Sequence, residues 1–186
     1  IVIVTGGGHT AREYISALRR EKLNENVYSW VGIATTKLNA RLIASYFKNI
    51  KKIPDSLKEV KNSLRRRNIV VCGALGFQPG MTSDGDAAQI ARYLKADMFI
   101  NVTNVKGLYD KDPKKYKNAK FILKISFDEI WDIAEHIRFE AGQHFVLDQY
   151  AADVIRKSKI KTIILSGLKN LENCLKGKRF TGTVVE

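Results

Sequence analysis

The chain has 186 residues, 45% hydrophobic and 27% charged, which is enough for one sizeable core and leaves no low-complexity stretch to account for. No apolar run reaches the roughly 18 residues needed to span a bilayer, and no basic-then-apolar leader opens the sequence, so a cytoplasmic globular protein is expected and a membrane protein is not. Cys72 and Cys174 are far apart and outside any Cys-x-x-Cys or His-rich setting, which argues against metal or redox chemistry and for two small apolar fillers. The formal charge of +13 is concentrated: residues 48–67 contribute +6 and residues 106–124 contribute +5. Such a field draws nucleotides or other polyanions. Without interleaved aromatics the first segment reads as solvated surface, and nucleic acid is not an expected partner.

In chain order, residues 1–5 form a short β-branched run that stops at Gly6-Gly7-Gly8, a buried strand feeding a glycine loop. A helix follows, with Thr10 and Glu13 at capping-box spacing and Ala11, Tyr14, Ile15 and Leu18 at helical intervals. A second helical pattern covers about 35–47, with Leu38, Leu42, Tyr46 and Phe47 on one side, and a third follows Pro54. Residues 69–75 read as a strand. After a loop holding Gly76, Pro79 and Gly80, Ser83 and Asp86 repeat the capping-box spacing before a helix carrying Ala87, Ala88, Ala91 and Leu94. Residues 98–103 are a further strand, followed by a long loop; Ser126 with Glu129 caps the next helix, and another covers about 148–157. A strand at 162–166, a helix at 168–175 and a strand at 183–185 close the order. Apolar strands alternating with helices predict one α/β domain, a three-layer αβα sandwich around a mainly parallel sheet.

In such a sheet, anions bind where strands end and helices begin, because free helix N–H groups and the dipole favour negative charge. The loops at 6–10 and 76–83 both have that form. Gly-x-x-x-x-Gly-Lys-Ser/Thr is absent, and Gly6-Gly7-Gly8 lacks dinucleotide spacing. His9, His136 and His144 share no metal-binding spacing. Phosphoryl transfer needs mostly positioning and charge neutralisation, so Arg12 in the first helix and Asp84 and Asp86 at the start of another are candidates.

The stretches Ile-Val-Thr-Gly-Gly-Gly-His-Thr-Ala-Arg-Glu-Tyr-Ile, Gln-Pro-Gly-Met-Thr-Ser-Asp and Thr-Asn-Val-Lys-Gly-Leu-Tyr-Asp-Lys-Asp-Pro occur in this order. Together with Asp148-Gln149-Tyr150-Ala151-Ala152 they make the chain resemble the archaeal-type uridylate kinases of the amino-acid-kinase superfamily along its whole length. The resemblance implies phosphorylation of UMP by ATP with Mg²⁺, in a homo-oligomer, a hexamer in that family, and serving pyrimidine nucleotide synthesis. It implies that Gly8, Arg12, Thr103, Asn104, Tyr109 and Asp112 serve ATP. It implies that Gly7, Ser29, Gln78, Pro79, Gly80, Met81, Thr82 and Ser83 enclose UMP, and that Asp84 organises the catalytic groups beside Arg12. Residues 1–97 would then form the acceptor part and 98–186 the ATP part. Ser29 stands where the family has an aspartate for the ribose, and Lys106 replaces a common aspartate. The family has one more strand and a Gly-Gly-Ser loop upstream of the point matching Ile1. Relatives of the same superfamily act on other small phosphates or carboxylates, or bind nucleotide or serve storage without catalysis, and these are the competing expectations.

Overall fold

Short β-branched runs become strands here because neighbouring helices cover both of their faces. The computed structural model describes residues 1–47, 52–76, 81–111, 113, 116–135 and 147–186. In order these form β1 (Val2–Val4), α1 (Gly8–Arg19), α2 (Glu25–Ser45), α3 (Leu57–Leu64), β2 (Val70–Cys72), α4 (Ser83–Leu94) and β3 (Phe99–Thr103). The order continues with β4 (Leu108–Tyr109), β5 (Phe121–Ile122), β6 (Lys124–Ile125), α5 (Phe127–Glu135), α6 (Gln149–Ser158), β7 (Thr162–Ser166), α7 (Leu168–Leu175) and β8 (Gly182–Val185).

The expected α/β class is the one found. Strands β1 and β2 pair in parallel with Val4 level with Cys72, and β3 pairs in parallel with β7 with Thr103 level with Ser166. The larger sheet has the order β3-β7-β8-β6, and its β7–β8 pairing is antiparallel. Helix α4 packs against both β1 and β3 and so joins the two sheets.

Several local expectations are met to the residue, and others are corrected. Strand β7 and helix α7 have the predicted bounds. The Ser126–Glu129 box forms, with Ser126 N donating to Glu129 Oε2 at 2.8 Å and Glu129 N donating to Ser126 Oγ at 3.2 Å. The Thr10–Glu13 box does not form, because α1 already begins at Gly8 with Gly7 as its cap, and Glu13 instead meets His9 at 3.3 Å. Likewise Thr82, not Ser83, caps α4, accepting from Asp84 N at 3.1 Å. Helix α2 starts ten residues before the predicted 35, at Glu25, because Asn24 Oδ1 accepts from Asn26 N at 2.9 Å and opens the helix there. The loop predicted between 104 and 125 contains the short strands β4, β5 and β6.

Two buried clusters share α4. One gathers Ala40, Ala44, Val60, Val70, Val71, Cys72 and Ile90; the other gathers Ala88, Ala91, Phe99, Leu108, Ile130, Val154, Ile155 and Ile164. Both cysteines are buried, and burial pushes the Cys72 thiol up to about 12, as a small core filler requires.

Candidate phosphate-transfer site

Two backbone loops leave the level ends of β1 and β2. Thr5 prolongs the pairing, its N–H donating to Cys72 O at 2.9 Å and its hydroxyl to Thr36 O at 2.8 Å. The chain then turns under α2, where Asn39 Nδ2 donates to Gly6 O at 2.7 Å and to Gly7 O at 3.2 Å. Gly8 has φ +62°, the left-handed region that glycine enters without a Cβ penalty, and α1 starts there. Its first N–H groups have no carbonyl of the helix to bond, which is the general basis for anion binding at such ends.

The second loop returns from β2. Ala74 N donates to Thr36 Oγ1 at 2.9 Å and Leu75 N to Asp86 Oδ1 at 3.1 Å, so α2 and α4 both hold its start. Residues 77–80 lie outside the described residues, and with them Gln78, Pro79 and Gly80. The loop re-enters at Met81 and runs into α4. A Cβ on Gly6 would stand 3.2 Å from Ser83 Oγ. The two loops therefore meet on one side of the strand ends, the geometry that a donor and an acceptor anion need if they are to approach each other.

A carboxylate that the sequence offered no specific role holds this junction together. Asp148 Oδ1 caps α6 by accepting from Ala151 N at 2.6 Å. Its Oδ2 accepts from Thr82 N at 2.9 Å, Thr82 Oγ1 at 2.6 Å and Gly85 N at 3.1 Å. One side chain thus joins the start of α4 to the start of α6. The signal was in the letters, since an aspartate directly before a helical Gln-Tyr-Ala-Ala run is a cap. What it reaches across to was not. Gly85 keeps the same contact tight, because a Cβ there would displace the Met81 side chain and come within 3.1 Å of the Tyr150 ring.

Asp84 and Asp86 lie near Asp148, and burial disfavours the charge of these two. Burial and then the nearby Asp148 charge raise Asp84 to about 7. Burial raises Asp86 to about 6, with the Leu75 hydrogen bond and Lys37 working against it. Lys37 reaches in from α2 and is itself paired with Asp55 at 2.7 Å. A site that resists negative charge on its own carboxylates gains from any cation brought to it.

The other predicted residues distribute as follows. Gly7 is half-buried against Ala11 and 3.6 Å from Gly32 O, measured from an added Cβ. Arg12 is exposed on α1. Ser29 lies within α2, its hydroxyl donating back to Glu25 O at 3.2 Å, one turn before Gly32. Thr103 ends β3 and Asn104 follows it, exposed, beside the level end of β7. Tyr109, in β4, stacks in a tilted pair with Phe121 at 5.3 Å between centroids. Asp112 lies outside the described residues. Helix α4 runs from the meeting loops back to the foot of β3, so Thr103 and Asn104 emerge on the same side as Thr82. Among the described residues no cluster of His, Cys, Asp or Glu is arranged to cage a metal, and no helix is long and apolar enough to cross a membrane.

Strands of a mainly parallel sheet that run through turns into helix starts, with helices packed against them, define an α/β protein whose strand ends are the place where anions bind in such folds. Residues 1–166 match the model of the amino acid kinase family, and the chain belongs to that family. It is 40% identical over 95% of its length to a uridylate kinase of Methanococcus aeolicus, covering 80% of that protein. It is 37% identical over its whole length to a uridylate kinase of Sulfolobus acidocaldarius, covering 83% of it. The crystal structure of uridylate kinase from Archaeoglobus fulgidus superposes with a TM-score of 0.86 at 37% identity, over 100% of this chain and 84% of that one.

Proposed function

We propose that this chain transfers the γ-phosphate of ATP to UMP, giving ADP and UDP, in the cytoplasm and as a step of pyrimidine nucleotide synthesis. The observation that carries the reading is the closeness of Gly6 to Ser83, such that a Cβ on Gly6 would stand 3.2 Å from Ser83 Oγ; it sets the glycine loop beside the start of α4. The likeness to archaeal uridylate kinases supports UMP as the acceptor.

In this reading Gly7, Ser29, Gln78, Pro79, Gly80, Met81, Thr82 and Ser83 hold UMP beside the start of α4, which Asp148 fixes in place. Gly8 and Arg12 hold the phosphates of ATP, and Thr103, Asn104, Tyr109 and Asp112 its adenine and ribose. The acceptor part spans 1–97 and the donor part 98–186, an assignment supported by the two clusters that meet at α4. An ionised oxygen of UMP forms a bond to the γ-phosphorus while the bond to the β-bridging oxygen breaks, and the electron pair leaves with ADP. No proton has to be removed from the acceptor, so Asp84 acts as an organiser of cations and not as a base. Mg²⁺ fits this site as a partner of ATP: the local donors are hard carboxylate oxygens, and Mg²⁺ commonly binds through substrate phosphates plus one or two carboxylates. When bound it neutralises charge on the phosphate oxygens. The resemblance extends the reading to a homo-oligomer, a hexamer in that family.

The test is ADP release, coupled to a spectrophotometric readout, across a panel of nucleoside monophosphates and small carboxylates with Mg²⁺ present. Turnover with UMP well above the rest is expected. Turnover with a different acceptor but not UMP overturns the acceptor, and ATP binding without turnover on any acceptor overturns the kinase.

A further inference from the structure

A cavity of about 400 Å³ opens at the feet of α4 and α6, away from the two loops that meet at the strand ends. Both helices finish there, and β3 and β7 start there side by side, with Phe99 level with Thr162. Helix α4 has 12 residues and rises about 18 Å from this cavity to its Thr82 cap.

The walls carry Arg92, Lys95, Lys159 and Lys161, with Ser158 and one acid, Asp97. Lys95 closes α4 at φ 52° and Lys159 closes α6 at φ 51°, so the two helices stop in the same left-handed turn and each brings a lysine to the cavity. One cation per helix end is enough to answer the dipole, and α6 already has Arg156 and Lys157 in its last turn, both paired with Asp153. The dipoles therefore do not account for four. Lys161 Nζ is paired with Glu186 at 2.8 Å, and Lys159 Nζ lies 5.1 Å from the centre of the Phe127 ring. Among the described residues Arg92 and Lys95 make no ion pair, and neither does Asp97. Four cations against the carboxylates of Asp97 and Glu186 leave an excess of two positive charges around one cavity.

Like charges held together repel, and an anion between them relieves the repulsion. The lining selects the anion. Arginine offers a planar fork and lysine a point charge, the donors that phosphate oxygens take. Among the described residues no aromatic ring lines the cavity to stack a base. Its volume is at the small end for ligand sites, which suits a compact, multiply charged group. The geometry points to a second anion site at this cavity, one that binds oligophosphate groups, free or at the end of a nucleotide, without reading a base. It stands or falls apart from the acceptor and donor assignments.

Tripolyphosphate is titrated calorimetrically into the full chain at about 0.01 M salt, where charges act over about 30 Å. Binding that weakens as salt rises is expected. Lys95→Asn combined with Lys159→Asn removes two charges and keeps the left-handed turns, which asparagine tolerates; circular dichroism checks the fold. This lysine pair is expected to weaken binding by about tenfold or more. Arg65→Gln combined with Arg66→Gln, an equal charge loss at exposed positions, is expected to leave it unchanged. Binding at the strand-end loops survives both pairs, so the part lost with the lysines reports this cavity. Displacement of that part by ADP at lower concentration than by pyrophosphate assigns the group to a nucleotide, and the reverse order assigns it to the free anion. Absence of binding at low salt overturns the proposal. So does binding that the lysine pair leaves unchanged, an equal loss in both pairs, which marks net charge alone, or citrate binding as tightly as tripolyphosphate.

Discussion

Asp84 occupies a place that opposes its own ionisation, and the consequence is measurable. Burial, and next the Asp148 carboxylate, lift it from 3.8 to about 7. Each pH unit of such displacement corresponds to about 1.4 kcal/mol, so up to about 4 kcal/mol stands against the folded state once the group is charged. The dipole at the start of α4 returns roughly 1 kcal/mol to an acidic side chain, which leaves about 2–3 kcal/mol. The sign follows from proton uptake: the folded chain holds this proton more tightly than the unfolded chain does. Below pH 4 both states are protonated and nothing is lost; stability drains as pH rises from about 4 to 7 and stays lower above it. Asp86, raised to about 6, drains stability in the lower part of the same window. Asp84→Asn keeps the shape and removes the charge. Urea unfolding is expected to show the variant equal to the parent near pH 4 and more stable by about 2–3 kcal/mol at pH 8. With Asp84 as the organiser proposed above, turnover is expected to fall by at least about 100-fold. A variant no more stable than the parent at pH 8, or a difference that does not grow with pH, refutes the reasoning.

Asp148→Ala removes the α6 cap and strands the donors Thr82 N, Thr82 Oγ1 and Gly85 N; a loss of about 2–4 kcal/mol is expected from urea titration. Because the lost charge also raised Asp84 and Asp86, the penalty is expected to be smaller at pH 8 than at pH 5. Gly73→Ala places a Cβ 2.7 Å from the Thr36 carbonyl carbon and 2.8 Å from Lys37 N, backbone that cannot yield easily. Gly85→Ala meets mainly the flexible Met81 side chain. Calorimetry is expected to show a larger loss for the former, about 3 kcal/mol or more, against about 1–3 kcal/mol for the latter, whose main effect is a raised KM for the acceptor.

Much of this protein was legible wherever the determinant was local. Strand β7, helix α7 and the Ser126–Glu129 box follow from apolar runs and short-range hydrogen bonds, which need only neighbouring residues. The two glycine loops were legible for the same reason, because a strand that stops at glycine before a capped helix is a pattern of adjacent letters. Helix α2 was not. Its first ten residues give no clear apolar stripe to read, since Tyr28 is buried while Val27 and Trp30 are exposed. Nor was the role of Asp148, whose acceptor oxygens span from α6 to a loop more than sixty residues earlier in the chain. Residue type and spacing by themselves decided most of the strands and helices and the glycine turn at 6–8. The tertiary structure alone decided that Gly6 meets Ser83, that one carboxylate holds two helix starts, and that burial raises Asp84. Those are distances and solvation between parts of the chain remote in sequence, and they exist only once the layers have packed.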